Sequence, residues 1–235
     1  MFYVTIHSYA VTASFRIPET HTFQQTLPLP PITTLIGILG AAAGWSFEKA
    51  IGFCKEKMVQ FGVVGTHNGK TKDLWKYHKI KSGETISAVL LREFLTDLEM
   101  TIYVAVEDKS IAEEIRRCFL HPYYALTAGN SDDLLKIRKV LPVKFGEVVL
   151  ARDFKETVIG GNHVANYESN IDIRSVPLMK DLYTPQVHLL PTEFEFSGLE
   201  RRVKERQPFT FVDTLIKLKT PVRALNAGNW VVALL

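Results

Sequence analysis

The spacing of hydrophobic residues over the first 120 residues predicts strands and helices in alternation. Alternating apolar and polar positions with β-branched or aromatic side chains predict strands, and apolar residues three or four apart predict helices. The predicted strands are Phe2–Ser14, Val59–Val64 and Leu98–Val106, and the predicted helices are Ile32 to about Lys57 and Lys109–Leu120. One further strand after Pro122 would complete a split β-α-β arrangement of the ferredoxin-like type. We therefore expect an α+β fold.

The second half of the chain, from about Val140, is strand-like and rich in turn residues. Its predicted strands are Val143–Leu150, Gln186–Phe196, Phe209–Leu218 and Trp230–Leu235. The one weak helix signal is a charged stretch near Leu199 to Arg206. The sequence therefore predicts two parts: residues 1–140, and a smaller β-rich region over residues 141–235 that completes the first part or packs on it.

Three glycines in the first predicted helix need an explanation. Gly37, Gly40 and Gly44 lie near one helical face, and each costs about 1 kcal/mol of helix stability relative to alanine. We expect them to allow this helix to pack closely on a sheet. The alternative is that they let the backbone of a ligand approach the start of the helix.

Composition places the chain among globular proteins of the cytoplasm. Hydrophobic residues make up 46% and charged residues 23%, and the net charge is +3. Two cysteines, Cys54 and Cys118, are too few for a disulfide framework and are expected to be core residues. The first residues resemble a strand and not a signal peptide. The apolar segment Ile32–Phe47 is too short to span a membrane, so no membrane association is expected.

The segment from Thr66 to Ser82 carries the clearest functional signal. It is polar and interrupts the predicted fold, and order is expected to resume around Thr85. Five lysines stand against the single Asp73, which gives this short segment a charge of +4. Two aromatic residues lie between the lysines, and the candidate RNA-binding residues are Lys70, Lys72, Trp75, Lys76, Tyr77, Lys79 and Lys81. Lysines attract phosphates and aromatic rings stack on unpaired bases, so the segment indicates binding of single-stranded nucleic acid. The alternative is a solvated hairpin whose rings pack on its own strands.

The sequence contains few other motifs that indicate catalysis or the binding of a cofactor or metal. We find no phosphate-binding loop, no dinucleotide fingerprint, no serine nucleophile elbow and no histidine and cysteine spacing typical of zinc. We therefore expect no metal site and no cofactor. Metal-independent RNA cleavage needs a general base or acid such as histidine and nearby cations, and His21 and His78 are the candidates for that alternative function. Tyr77, His78 and Lys79 are consecutive, so on a strand they could not converge on one active site.

Several segments, taken in order, resemble the CRISPR-associated Cas family five, within the RAMP superfamily. They cover roughly residues 1 to 140 and preserve the order of elements. The matching segments are Ala13–Arg16, Thr26–Pro31, Thr33–Ala41, Leu91–Leu95, His121–Leu126 and Gly129–Leu134. The second half of the chain carries little that matches.

The resemblance implies a ferredoxin-like, RRM-like palm with an inserted β-hairpin thumb at about residues 66–97. Members of that family cap one end of the type I interference complexes called Cascade, which act in antiviral defence. They hold the 5′ handle of the CRISPR RNA, contact the large subunit and the first backbone subunit, and meet target DNA indirectly through the complex. Most leave RNA cleavage to a separate nuclease, so we expect an RNA-binding subunit without catalytic residues.

The resemblance also implies where the RNA lies. It places the handle near Arg16 and the helix entry at Thr33 and Thr34, and it adds Arg92, Asn130 and Ser131 as candidate RNA contacts. For Asn130 and Ser131 the alternative is a helix cap or a turn. The runner-up is an endoribonuclease that processes precursor CRISPR RNA without metal. A third possibility is an unrelated ferredoxin-like domain whose basic segment serves solubility alone.

Overall fold

A computed structural model of the chain describes residues 1–21, 23–81, 83–169, 184–198, 200–228 and 230–235. Three helices lie in these ranges: α1 (Ile32–Ala43), α2 (Phe47–Glu56) and α3 (Lys109–Leu120). The strands of the first half are β1 (Phe2–Ala13), β2 (Phe15–Arg16), β3 (Phe23–Gln24), β4 (Thr26–Leu27), β5 (Gln60–Thr66), β6 (Gly69–Lys81), β7 (Glu84–Val106) and β8 (Lys136–Val140). Those of the second half are β9 (Lys144–Phe145), β10 (Glu147–Phe154), β11 (Thr157–Gly160), β12 (Tyr167–Ser169), β13 (Gln186–Ser197), β14 (Glu200–Val212), β15 (Ile216–Asn226) and β16 (Val231–Ala233). The chain is an α+β protein that consists mostly of strands.

The central sheet is built from four antiparallel strands of the first half in the order β8-β1-β7-β5. Side chains alternate across a strand, so each strand presents one row to each face of the sheet. On one face, Val4, Ile6 and Ile102 are buried against Leu39 of α1 and Ile115 of α3. The hydrophobic core therefore lies between this sheet and the helices.

Strands of the second half both extend the sheet and cover its other face. β11, β14 and β13 continue the sheet beyond β5. A second sheet has the order β10-β15-β12, with β16 beside β15. Its Leu225 and Val232 pack on Tyr3 and Tyr103 of the central sheet. None of the helices in the described part of the chain has the length and hydrophobicity that crossing a bilayer requires.

The prediction of one helix from Ile32 to Lys57 is wrong, because the chain turns after α1. Gly44 ends α1 in the left-handed conformation at φ 72°, which glycine adopts without strain. Ser46 then caps α2 by accepting a hydrogen bond from Lys49 N at 3.2 Å. The glycines also pack differently from what we expected. Gly40 lies against Ala50 of α2 and not on a sheet, and no atom lies within 4 Å of the position that a Cβ on Gly37 would take.

The charged stretch near residues 199–206 is a strand and not a helix. Glu200–Val212 pairs antiparallel with Gln186–Ser197 along its length, and Leu199 lies outside the described residues. The predicted strand Phe209–Leu218 is also divided, because β14 ends at Val212 and β15 begins at Ile216. Both the strand at residues 200–212 and the break after Val212 depend on which segments pair with each other. The sequence of a segment alone does not show its pairing partner.

The predicted helix over Lys109–Leu120 is confirmed as α3, with Asp108 as its cap. The predicted first strand is confirmed as β1, one residue shorter than expected. Cys54 is buried, as expected of a core residue, and burial raises the pKa of its thiol to about 12. Cys118 is half-buried.

Replacement of Gly129 tests a close backbone contact. Gly129 has φ 111°, and a Cβ there would overlap the carbonyl oxygen of Ser14. We therefore expect Gly129→Ala to lower the free energy of unfolding by about 1–3 kcal/mol or more, as measured by urea denaturation. The control is Gly37→Ala, which meets no neighbour and should raise that free energy by up to about 1 kcal/mol. Equal stability of the Gly129→Ala variant and the unchanged chain would contradict the prediction.

Candidate nucleic-acid interface

A long β-hairpin occupies the basic segment of the sequence. β6 pairs with the first part of β7 in thirteen consecutive register pairs, from Gly69 with Thr96 to Lys81 with Glu84. β7 continues for 23 residues in all, and its second part is the strand Leu98–Val106 that the sequence predicted. The hairpin is thus an extension of a central strand of the sheet, and its direction is set by the sheet.

The junction between hairpin and sheet lies at Asp97. This residue has φ 49°, a left-handed conformation that is uncommon for residues other than glycine. The Tyr9 hydroxyl donates to its carboxylate at 2.6 Å, and Asn68 Nδ2 donates at 3.0 Å. These hydrogen bonds hold the pKa of the Asp97 carboxyl below its ordinary value. They also hold the backbone at the base of the hairpin.

The register of the hairpin separates the candidate RNA-binding residues into two faces. Alternation along β6 places Lys70, Lys72 and Lys76 on one face, which we call the lysine face. Trp75, Tyr77 and Lys79 lie on the opposite face, which we call the aromatic face. Sequence reasoning treated these residues as one interleaved set, and only the strand assignment divides them.

The aromatic face carries a row of planar groups. The rings of Trp75 and Tyr77 stack with their centroids 6.0 Å apart and an angle of 25° between their planes. Arg92, opposite Asp73 in the register, places its guanidinium 5.5 Å from the Trp75 ring centroid. Trp75 remains 44% exposed, so its outer surface is open to a stacking partner. Together Tyr77, Trp75 and Arg92 form what we call the stacking row.

Arg92 is buried and joins the hairpin to a loop of the protein body. Its guanidinium pairs with Asp73 on β6 and with Asp132, each at 3.1 Å. These bonds raise the pKa of Arg92, chiefly through Asp73, and the bond from Arg92 holds the pKa of the Asp132 carboxyl below its ordinary value. Arg92 was a candidate RNA contact, and the structure gives it two carboxylate partners within the protein.

The loop that contains Asp132 is fixed from several sides. The backbone of Ala128 accepts a hydrogen bond from Ser14 N at 2.9 Å. Asp133 is buried and accepts hydrogen bonds from Thr12 at 2.6 Å and from Asn130 at 3.2 Å. Ser131 is exposed. The structure thus brings Asn130 and Ser131 next to the residue that anchors the stacking row.

The lysines differ in how far they are free to meet a ligand. Lys70 donates to Thr26 O at 3.3 Å, and burial lowers its pKa. The Lys72 ammonium lies 4.9 Å from the ring centroid of Phe23. Lys76 and Lys79 are exposed, and the side chain of Lys81 lies outside the described part of the structure. Lys72, Lys76 and Lys79 are therefore the lysines best placed for a phosphate.

The remaining predicted residues lie elsewhere on the surface. Arg16 is exposed and donates to Thr20 O at 3.1 Å. Thr33 and Thr34 are half-buried in the first turn of α1. His21 and His78 are both exposed. Within the described ranges, no group of three or more histidine, cysteine, aspartate or glutamate side chains could hold a metal ion.

Sequence reasoning missed one cationic feature, a groove between α1 and the hairpin formed by β13 and β14. Arg201 of β14 lies over the rings of Phe47 and Phe194, 4.8 and 4.9 Å from their centroids. Arg201 also lines a groove with Thr33 and Gly129. The charged stretch near residue 200 could have indicated this cationic groove. Because that stretch was predicted as a helix, its pairing with β13, which places Arg201 beside the groove, was not predicted.

The sequence model of the family described as CRISPR-associated protein (Cas_Cas5) matches residues 4–188. The chain belongs to this family. No curated protein sequence matches the chain.

Two solved structures share the fold at low sequence identity. A chain of a CRISPR RNA-guided surveillance complex is 15% identical, with 93% of this chain and 91% of that chain covered and a TM-score of 0.55. A CRISPR protein from Archaeoglobus fulgidus is 12% identical, with 99% of this chain and 98% of that chain covered and a TM-score of 0.55. The likeness extends over both halves of this Cas5 family member.

Removal of the Arg92 ion pairs should loosen the hairpin. We expect Arg92→Gln to lower the free energy of unfolding by about 1–3 kcal/mol and to increase amide hydrogen exchange around Asp73. The control Arg138→Gln removes an exposed pair with Glu99 and should cost less than about 1 kcal/mol.

The pH dependence gives a second readout of the same pairs. Because the pKa of Asp132 is lowered in the folded protein, its ionised carboxylate stabilises the fold above its ordinary pKa, and this contribution is lost as the pH falls through the lowered value. The difference between Arg92→Gln and the unchanged chain should therefore shrink in acid. A difference that is the same at neutral and acidic pH would contradict this assignment.

Proposed function

We propose that the protein is a non-catalytic RNA-binding subunit of a type I CRISPR surveillance complex and acts in the cytoplasm in antiviral defence. It holds the 5′ handle of the CRISPR RNA and contacts the large subunit and the first backbone subunit. It meets target DNA only through the assembled complex. Membership of the Cas5 family and the shared fold with a chain of an RNA-guided surveillance complex support this proposal.

The proposal assigns the first half to a ferredoxin-like palm and the β6–β7 hairpin to a thumb. The antiparallel order β8-β1-β7-β5 supports the palm, since it corresponds to the order 4-1-3-2 for the four strands of two β-α-β units. The hairpin supports the thumb, because it extends from β7 within this palm. In the described part of the chain β6 pairs with β7 alone, while the short β3 pairs with β7 at Leu91 and Arg92.

The stacking row is the observation that carries the proposal. Aromatic rings and arginine planes bind unpaired bases through their faces, independently of base sequence. Here two stacked rings and a guanidinium lie in one row, and Lys79 lies on the same face. Asn130 and Ser131, close to Asp132 at the end of the row, are placed to offer hydrogen bonds to the RNA. Arg92 is buried and supports the Trp75 ring from within the protein, while single-stranded RNA is the ligand that uses the exposed ring, Lys79 and these polar side chains together.

The lysine face supports a second kind of contact. Leu74 is 74% exposed and Ile80 is 79% exposed, and both lie on this face together with Val89 from β7. Leu74 and Val89 are diagonal neighbours in the register, and exposed apolar side chains among charges are common in protein interfaces. We assign it to the neighbouring backbone subunit, while Lys72 and Lys76 are placed to attract RNA phosphates beside that contact.

The absence of catalysis is part of the proposal. Tyr77 and His78 are adjacent on β6, so their side chains leave opposite faces of the hairpin. His21 and His78 are exposed, and no described hydrogen bond orients either ring. A general base in RNA cleavage needs a fixed position near the 2′-hydroxyl. These positions support a binding role better than an endoribonuclease.

Substitutions on the two faces of the hairpin test RNA binding. For labelled RNA that carries the repeat-derived 5′ segment, we expect Trp75→Ala to raise the Kd about 5- to 150-fold, since stacking contributes about 1–3 kcal/mol per base. Joint replacement of Lys72 and Lys76 by alanine should reduce the salt dependence of log K by about 0.7 per lysine.

The matched control is joint replacement of the exposed Lys217 and Lys219, which lie on the second sheet. It removes the same charge and should leave affinity and salt dependence close to those of the unchanged chain. If the hairpin variants bind as tightly as this control, the hairpin is not an RNA contact.

A cleavage assay separates binding from processing. The protein is incubated with labelled precursor repeat RNA in EDTA, and we expect the RNA to stay intact because no described group is positioned to activate the 2′-hydroxyl. Sequence-specific cleavage that is lost in His21→Ala or His78→Ala would instead establish the endoribonuclease alternative.

A further inference from the structure

Three separate elements enclose a groove beside the loop that anchors the hairpin. The first half of α1 supplies Thr33, Thr34 and Gly37 to one wall, and the loop before β8 supplies Thr127 and Gly129. The opposite wall is formed by the β13–β14 hairpin with Phe194 and Arg201, and by Phe47 at the start of α2. The groove encloses about 410 Å³. Its walls thus come from residues that are far apart in the sequence.

Arg201 is held in place by aromatic rings and not by carboxylates. Its guanidinium lies 4.8 Å from the Phe47 centroid and 4.9 Å from the Phe194 centroid. Among the described residues, no aspartate or glutamate pairs with it. The next residue, Arg202, differs because it pairs with Glu200 at 3.1 Å. Stacking fixes the plane of a guanidinium while leaving its N–H donors free, which is the arrangement that suits a phosphate.

The rest of the groove suits a sugar-phosphate backbone. The hydroxyls of Thr33, Thr34 and Thr127 have no hydrogen-bond partner within the described part of the chain, although each lines the groove. Apart from its chain neighbours and the backbone of its own helix, Gly37 has no atom within 4 Å of its missing Cβ position, so this wall stays open to close approach. The threonine hydroxyls can hydrogen-bond to ribose and phosphate oxygens of RNA, and the guanidinium of Arg201 can bind a phosphate. A peptide carboxylate would interact with the guanidinium alone.

The groove shares one loop with the proposed RNA contact on the hairpin. Thr127 and Gly129 line the groove, and Asp132 of the same loop pairs with Arg92 in the stacking row. The loop is closed by the bridge between Thr127 and Leu134. An RNA strand that follows this loop from the stacking row past Asn130 and Ser131 would meet the groove at Gly129 and Thr127.

We propose that this groove binds the ribose-phosphate backbone of the same RNA strand, and that the guanidinium of Arg201 binds one of its phosphates. The inference rests on the proposed function, because it assumes that RNA is the ligand of the hairpin. It goes further by assigning RNA contact to the β13–β14 hairpin, to Arg201 and to the wall at Gly37. The second half of the chain then takes part in RNA binding and does more than extend the sheet.

Two variants of the full chain test the proposal through different properties of the groove. Arg201→Gln removes the charge and keeps the size, and we expect a Kd at least about tenfold higher for the handle RNA, with a salt slope lower by about 0.7. Gly37→Leu leaves the charge unchanged but fills the groove, and a similar loss of affinity is expected without a change in salt slope. Thermal unfolding of both variants shows whether the fold is kept.

Arg202→Gln is the matched control, since it removes the same charge from the neighbouring residue of the same strand and should leave the Kd within about twofold. If Arg201→Gln and Gly37→Leu bind RNA like this control while Trp75→Ala is weakened, the groove proposal is overturned and the proposed function stands. If the unchanged chain does not bind the RNA, the proposed function fails and the groove proposal fails with it. If Arg201→Gln impairs association with the large or backbone subunit but not RNA affinity, the groove is a protein contact and the proposal is overturned.

Discussion

The structure depends on the continuity of β7, a single strand of 23 residues that pairs with β1 and β5 in the sheet and with β6 and β3 in the hairpin. Residues 98–106 lie between β1 and β5 in the middle of the sheet, where Leu98, Ile102 and Val104 are buried. Residues 84–96 pair with β6 in the exposed hairpin. Because β7 is hydrogen-bonded along its whole length, the part of the strand that lies in the core sets the direction in which the hairpin projects from the sheet.

The loop over residues 127–134 joins the two proposed contact regions of the protein. On one side Asp132 pairs with Arg92, and on the other side Gly129 approaches Ser14 so closely that only glycine fits. The buried Asp133 orders the loop from within. Rigid placement matters for single-stranded RNA, since each contact is weak and affinity comes from several contacts in a fixed arrangement.

Charge alone describes this surface poorly, because the setting of each cation decides what it can bind. Arg92 is satisfied by two carboxylates and acts within the protein, and Lys70 is partly buried against a backbone carbonyl. Arg201 is stacked on two rings without a carboxylate partner in the described structure. The net charge of +3 hides these differences. The distribution of partners, and not the count of lysines, therefore identifies the surfaces available to a ligand.

The sequence by itself determined the elements whose signals are local. The apolar stripe of Lys109–Leu120 predicts α3 to the residue, and alternation predicts β1 within one residue. It also located the cationic aromatic segment. Tertiary structure decided the break after Gly44, the strand at residues 200–212, the two faces of the hairpin and the position of Arg201 over Phe47. These features arise from strand pairing and from contacts between distant residues, whose energies depend on partners that no local window of sequence contains.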